Sequence, residues 1–583
     1  MQGTEDQTAD FFKSKVLGHP SGLFVLFFTE MWERFSYYGM RALLVMFLTA
    51  SLMEDGWGWP RENAFALFGS YTALVYLSTM LGGYFADKII GYRKAVLWGA
   101  LLMTLGHGAM ALETQTSIYL GLTLLVFGSG FFKPNMTSII SEMYKEHPAK
   151  KDGAYTIFYM GVNAGAFLGI LLCGYLGETV GWSIGFGLAG VFMLFGLLQF
   201  WFTQNIFKKI GLKPAKTVAG APEADGEKKV PFAMWQKGFI IVSAALGLIW
   251  ILNDPMSKIS NNEYNVLDFS VGPISGALLV ILIALMLFLI LTFYRLMQYT
   301  RVIRDKMIAV IFFAFLTIFF WAIFEQAPST LTIFAQDYTD RLLLGDSAMI
   351  YKFVNLLITI VPLGIITWVL FKLFGQTFKK YPLGNVFLGL SFVIIWIIAI
   401  WMLIDQFQKP DTEVPASWFG VLNSLFIIAF APLFSKWWES KYNPEANTKY
   451  GIGLVLLGLG MACVAIGSSG IAPGAKTASV SMIWLVLVYF FHTLGELCIS
   501  PVGLSQVSKL VPPKMIAFMF GIWYLAVAIG MKAAGIFGEV GVEVAEKDGL
   551  SYFFWILTAI PVALGVLSVI VQPIIKKLMH GVK

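Results

Sequence analysis

The chain has 583 residues, of which 57% are hydrophobic and 13% charged, with a mean hydropathy of +0.73. That is too apolar for water-soluble cores of ordinary size and implies an all-α polytopic membrane protein in a lipid bilayer. The formal net charge of +6 gives no reason to expect nucleic acid, because the basic residues cluster in short loops, where they report topology. Cys173, Cys463 and Cys498 stand isolated in apolar segments, without metal-type spacing, and read as packing residues.

Sixteen apolar stretches approach or exceed the length of a span. The first six are 22–50, 63–84, 94–113, 117–139, 155–176 and 183–204, and residues 1–204 form an expected N-terminal six-helix bundle. Residue 22 follows about 20 polar residues, and the run carries Glu30 and lacks a cleavage site, so it is expected to remain as a span. Residues 205–236, with Lys208, Lys209, Lys213, Lys216, Lys228 and Lys229 among Gly, Pro and Ala, read as a cytoplasmic linker. An inserted helix pair is expected within 237–306, at 237–253 and 272–296. Next come a first C-terminal span at 307–336 and a second inserted hairpin within 337–415, at 350–374 and 384–405. Residues 416–583 hold the remaining five spans, 416–437, 449–469, 480–502, 515–538 and 551–576. Segment 237–253 is short, and losing it would force a second loss, giving fourteen spans. Lys and Arg concentrate in the loops on the side of both termini, placing the termini in the cytoplasm.

Within the first stretch, Glu30, Glu33, Arg34 and Arg41, with Tyr37 between them, fall within roughly a third of the helix circumference. A charge at the bilayer centre costs about 2.5–3.5 kcal/mol even on a lenient scale, so this stripe must be paired across helices or face water. Other spans add Glu325 and Glu496, with Lys133 and Lys532, balancing four acids against four bases. A matched pair in apolar surroundings is a switch, because protonating the acid frees its cationic partner. Two helical halves joined by a basic linker are also the plan of a carrier whose bundles rock about a midplane site.

The run Glu30-Met31-Trp32-Glu33-Arg34-Phe35-Ser36-Tyr37-Tyr38-Gly39 resembles the ExxERFxYYG signature of the proton-dependent oligopeptide transporter family of the major facilitator superfamily, in its bacterial form. The resemblance extends to Asp87-Lys88, Gly91-Tyr92-Arg93-Lys94, Phe131-Phe132-Lys133-Pro134-Asn135 and Phe158-Tyr159-Met160-Gly161-Val162-Asn163-Ala164-Gly165. In the second half it takes in Phe320-Trp321, Phe324-Glu325-Gln326, Leu422-Asn423-Ser424-Leu425-Phe426 and the run from Gly495 through Glu496 and Ser500 to Ser505. It implies a major facilitator fold of two six-helix bundles plus extra helices. It also implies proton-coupled symport of di- and tripeptides by alternating access, with protons as the coupling ion and no other cofactor. A bacterial inner membrane and a functional monomer are expected. The hairpin at 350–405 departs from the family, which usually has a short loop there. It reads as a lipid-facing or dimer-facing insert, with a cover over the substrate route as the other reading.

A short peptide is a zwitterion and needs a carboxylate at one end and a cation at the other. The resemblance implies Glu496 with Asn163 and Asn423 for the peptide amine, Arg41 and Lys133 for its carboxylate, and Ser500 nearby. Side chains would rest on Tyr37, Tyr38, Tyr76, Trp321 and Trp523, aromatic surfaces tolerant of many residue types. Glu325 is expected to carry the proton with Arg41 as its neighbour, in concert with Glu30, Glu33 and Arg34. Lys133 is expected to exchange between the Glu30/Glu33 cluster and Glu496 as a gate.

Asp87, Arg93 and Lys94 suggest a cytoplasmic latch, and Arg61 with Asp337 an outer gate. Duller roles stay open: static pairing for the α-helical stripe, interhelical glue for the asparagines, packing for the aromatics. His107 and His492 read as core histidines, and Lys532 either pairs with Glu539 or stands in the cavity. A carrier of another small anion, as in nitrate-carrying relatives, or a drug exporter is the alternative function. An enzyme is not expected, since no catalytic constellation shares a face.

Overall fold

A computed structural model describes residues 14–213, 232–511 and 516–582; most of the basic linker, including Lys216, Lys228 and Lys229, lies outside these. Sixteen helices of 19 residues or more follow one another: α1 Ser21–Thr49, α2 Arg61–Phe85, α3 Tyr92–Met110, α4 Gln115–Met143, α5 Pro148–Thr179, α6 Trp182–Thr203, α7 Met234–Ile259 and α8 Gly276–Met297, then α9 Arg301–Phe324 and, after a short helix α10 (Thr330–Asp337), α11 Gly345–Thr377, α12 Pro382–Gln408, α13 Val421–Glu439, α14 Ala446–Gly467, α15 Ile483–Leu510, α16 Ile516–Lys547 and α17 Leu550–Ile570. Fourteen of them are long and apolar enough to cross a membrane, by length and composition. The other two are α1, which carries the four charges Glu30, Glu33, Arg34 and Arg41, and the 19-residue α3. The chain is therefore an all-helical multi-pass membrane protein. Segment 237–253, the shortest expected span, is a full 26-residue helix.

One expected element needs correction. The stretch 307–336 is not a continuous helix but breaks after Phe324, with Glu325 at the C-cap and α10 beginning at Thr330. Pro328 lacks an N–H to continue the ladder, and Gln326 bridges the interruption: its side chain donates to the carbonyls of Ala322 (2.9 Å) and Ala534 (3.0 Å). The break leaves Glu325 at a helix end facing the centre of the molecule.

Small residues set the helix spacing. On α5, Gly161, Gly165 and Gly169 recur every four residues, and a Cβ on each would lie 3.0, 2.2 and 2.2 Å from the carbonyl oxygens of Phe27, Met31 and Phe35 on α1. Lipid-embedded helices gain little from apolar burial alone and associate through close backbone approach of this kind. Cys173 continues the seam, its Sγ 2.7 Å from where a Gly39 Cβ would stand. Gly165→Val is expected to lose about 1–3 kcal/mol or more through overpacking, seen as a lower melting temperature in detergent; an unchanged one would show that α1 and α5 can part freely. The C-terminal half repeats the device, with Gly451 against the Gly565 carbonyl (2.8 Å) and Gly453 against that of Gly495 (2.9 Å).

The two inserts differ in their docking. Helices α7 and α8 pair, and α7 lies along α2. The hairpin α11–α12 is inserted among C-terminal helices yet packs on the N-terminal half: Phe387 stacks on Phe202 at 5.6 Å, and Phe392 meets Trp32 and Phe28 at 5.6 Å each. Trp396 donates to Thr367 within the hairpin at 3.0 Å, and Lys352 is bound by the carbonyls of Lys409 (2.5 Å) and Pro410 (3.3 Å). No residue of 345–408 lines the central cavity.

Candidate functional site

The cavity lies between the halves, and six helices and the short turn Ala416–Gly420 supply most of its walls. From the N-terminal half come Tyr38, Arg41, Tyr76, Tyr159 and Asn163; facing them are Trp321, Phe324, Glu325, Ser417, Asn423, His492 and Glu496. Residues scattered through nearly 460 positions of sequence meet because α1, α2 and α5 tilt their charged or polar faces toward the broken end of α9 and the faces of α13 and α15.

The helical stripe of α1 is paired along its own length. Arg34 donates to Glu30 at 2.8 Å and stands 3.2 Å from Glu33, although neither Glu33 oxygen gains a hydrogen bond. Both acids are buried. Two turns on, Arg41 forms a buried ion pair with Glu325 across the two halves, the neighbour expected from the sequence. Its guanidinium also sits over Tyr37 (5.2 Å), Tyr38 (5.6 Å) and Phe68 (5.6 Å), and such faces attract cations.

Lys133 is different. Its Nζ lies 3.8 Å from the Tyr37 ring centre and 5.5 Å from that of Tyr76, and it makes no hydrogen bond. The expected exchange partners, the Glu30/Glu33 cluster and Glu496, are not within ion-pair distance in this conformation. Glu496 instead accepts from Asn423 at 2.9 Å, while the same amide also donates to Thr493 at 3.1 Å. Asn163 donates to the Tyr159 carbonyl at 3.0 Å and faces the cavity without touching Glu496.

Several assignments are corrected by position. Tyr37 is not a cavity surface but is buried between Arg41 and Lys133, its hydroxyl accepting from Arg41 at 3.5 Å. Trp523 is buried against Gly503 instead of facing the cavity. Ser500 lies off the wall, its hydroxyl buried and unbonded. Lys532 stands outside the cavity, in one cluster with Glu539, but its direct partner is Asp254 and it donates to Ser70 at 2.9 Å, so the central charge set holds four acids and three bases. His492 does line the cavity, stacked on Phe324 at 5.9 Å, whereas His107 is buried against Gly190.

Contacts between the halves gather at one end. Arg61 binds Asp337 at 2.6 Å and the Tyr338 hydroxyl at 3.0 Å. Glu178, at the end of α5, accepts from the backbone N–H groups of Ala416 (2.7 Å) and Ser417 (3.0 Å) and from the Ser417 hydroxyl (2.5 Å). A carboxylate there caps the short 3₁₀ turn Ala416–Gly420 that leads into α13. Trp418 adds a hydrogen bond to the Leu171 carbonyl at 2.9 Å.

At the other end Arg93, one of the expected latch residues with Asp87 and Lys94, binds the carbonyls of Ile210 (2.5 Å) and Lys208, a tie between α3 and the segment after α6; among the described residues Asp87 has no ion pair. Nothing in the sequence pointed to Glu178; Tyr159 was carried in a quoted motif, and His492 precedes Glu496 by one turn.

A two-half helical bundle enclosing a charge-lined chamber, closed by polar bonds at one end, is the plan of a membrane carrier and not of an enzyme. The chain belongs to the POT family, whose model matches residues 93–412 and 405–548. Among curated relatives it is 30% identical to the "Di-/tripeptide transporter" of Lactococcus lactis subsp. cremoris, covering 97% of this chain and 98% of that protein. It is 29% identical to the "Peptide transporter YePEPT" of Yersinia enterocolitica, covering 97% and 96%. Among solved structures, a peptide transporter POT in complex with sulfate has a TM-score of 0.69 at 29% identity, covering 99% of both chains. A POT family transporter in complex with a thioalcohol-conjugated peptide has a TM-score of 0.71 at 25% identity, covering 97% and 99%.

Proposed function

We propose that this chain carries di- and tripeptides together with protons, by alternating access, and works as a single chain in a bacterial inner membrane with both termini cytoplasmic. The observation that carries this reading is the Arg41–Glu325 pair on the cavity wall, with the Asn423-bound Glu496 on another part of the same wall. One supplies a cation that can be released to a carboxylate, the other an acid without a cationic partner that suits an ammonium. Both relatives named above are peptide transporters, which agrees with that use of the two charges.

In the cycle, a proton taken up by Glu325 frees Arg41, and the peptide carboxylate takes the vacated place. The peptide ammonium joins Glu496, leaving the central charges matched at four acids, one of them protonated, and three bases, with the zwitterion adding one charge of each sign. Lys133, poised on Tyr37 without an anion, is the group free to change partners as the halves rock. With the lysine-rich loops taken as cytoplasmic, the bonded end marked by Arg61 and Asp337 is external, and this conformation is the outward-closed one.

Both peptide termini should be required. In a competition assay for labelled dialanine, unlabelled dialanine is expected to compete fully, and its N-acetylated and C-amidated forms to lose at least about tenfold each, the loss of one charged partner. Equal competition by the blocked forms would contradict the assignment. Competition by nitrate, or outward movement of a dye, would favour the other carrier classes.

A further inference from the structure

The inserted helix α7 meets both halves of the carrier at one partly buried charged cluster that the transport scheme leaves unused. Ser70 on α2 donates to the Ile251 carbonyl of α7 at 2.9 Å, which fastens α7 to the N-terminal half. Lys532 on α16 donates to that same Ser70 hydroxyl at 2.9 Å and pairs with Asp254 on α7. Asp254 also accepts from Lys258 at 2.7 Å, and Lys258 pairs with Glu539 of α16. Two acids and two bases thus alternate along a single line, and the Lys532 side chain is only 3% exposed.

The cluster stands beside a close crossing between the halves. A Cβ on Gly69 of α2 would lie 2.8 Å from the Gly535 Cα of α16, and a Cβ on Gly535 would lie 2.8 Å from the Gly69 Cα. Opening this end requires α2 and α16 to separate. If α7 stays docked on Ser70, separation draws Lys532 and Glu539 away from Asp254 and Lys258 and strands charges in apolar surroundings, a strongly unfavourable outcome for a buried pair. If α7 instead follows α16, both bonds to Ser70 are lost. In either case the cluster stabilises the closed arrangement alone.

We propose that α7 is a clasp holding the two halves together at the Arg61 end, so that the inserted pair sets the balance between closed and open conformations of the carrier. Its place in a transport cycle rests on the function proposed above; its effect on conformation does not. Spin labels at Ser51 and Lys476, exposed residues on opposite halves that line the shallow vestibule beside Arg61 and Asp337, read that balance directly by pulsed electron resonance. The labels go into full-length protein with Cys173, Cys463 and Cys498 replaced by alanine, without substrate.

The parent is expected to give one short distance population, and Asp254→Asn to add a longer one. Ser70→Ala, which removes both hydrogen bonds of the Ser70 hydroxyl but leaves the ion pairs, is expected to shift the distribution in the same direction by a smaller amount. An Asp254→Asn protein that elutes as the parent does and keeps the parent distance distribution overturns the clasp. If that variant does not fold, an unshifted Ser70→Ala overturns it by the same criterion. A longer population together with failure of dialanine transport in the parent leaves the clasp standing and removes the function proposed for the cavity.

Discussion

Glu325→Gln is expected to end the concentration of dialanine against its gradient while sparing exchange of labelled for unlabelled dialanine across the membrane. Glutamine has the shape and the missing charge of a protonated glutamate, so Arg41, which pairs with Glu325 across the two halves, is left free and the peptide carboxylate still finds it. What the variant lacks is a proton to carry. Bilayer vesicles loaded with unlabelled peptide measure exchange, and empty vesicles under an inward proton gradient measure accumulation. The inside-to-outside ratio of the variant is expected to stop at equilibration. Continued uphill accumulation would remove Glu325 as the coupling acid, and loss of exchange as well would recast the ion pair as structural.

Glu496→Gln is expected to act on the other end of the substrate. The native carboxylate is held by Asn423 at 2.9 Å and has no cation of its own, so the peptide ammonium is its natural partner. Losing a desolvated charge partner costs about 2–5 kcal/mol, equivalent to a weakening of about 30-fold to several thousand-fold. Equilibrium binding of dialanine measures it, with N-acetylated dialanine as the internal control, since a peptide without an ammonium should be nearly indifferent to the change. A change of less than about threefold for dialanine, or an equal loss for both peptides, would contradict the assignment.

Much of the architecture was legible because a bilayer leaves few options: spans must be apolar, helical and long, and a long helix lies at each of the sixteen stretches, although the one expected over 307–336 ends at Phe324. The break after Phe324 was not, because apolar content runs on through it and only Pro328 and Gln326 hint at it. The Arg41–Glu325 contact could be anticipated, since Glu325 is the lone acid of its apolar helix and needs a cation from another one. Lys532 misled for the same reason. Charge balance among four acids and four bases was counted without Asp254 and Lys258, which lie just beyond the expected span 237–253 but within helix α7. Trp523, Tyr37 and Ser500 show the limit of motif reasoning: proximity in sequence to a site says little about which side of the helix a ring faces. Glu178 had no signal, because a carboxylate capping a turn of another half is a purely tertiary fact.

Purified protein in sealed bilayer vesicles, given labelled dialanine with and without an inward proton gradient, addresses the central claim most directly. Accumulation above the external concentration that appears with the gradient and collapses when a proton carrier short-circuits it is the expected result. Uptake that only equilibrates, or that is indifferent to the proton gradient, would contradict a carrier in which a peptide and a proton share the Arg41–Glu325 pair.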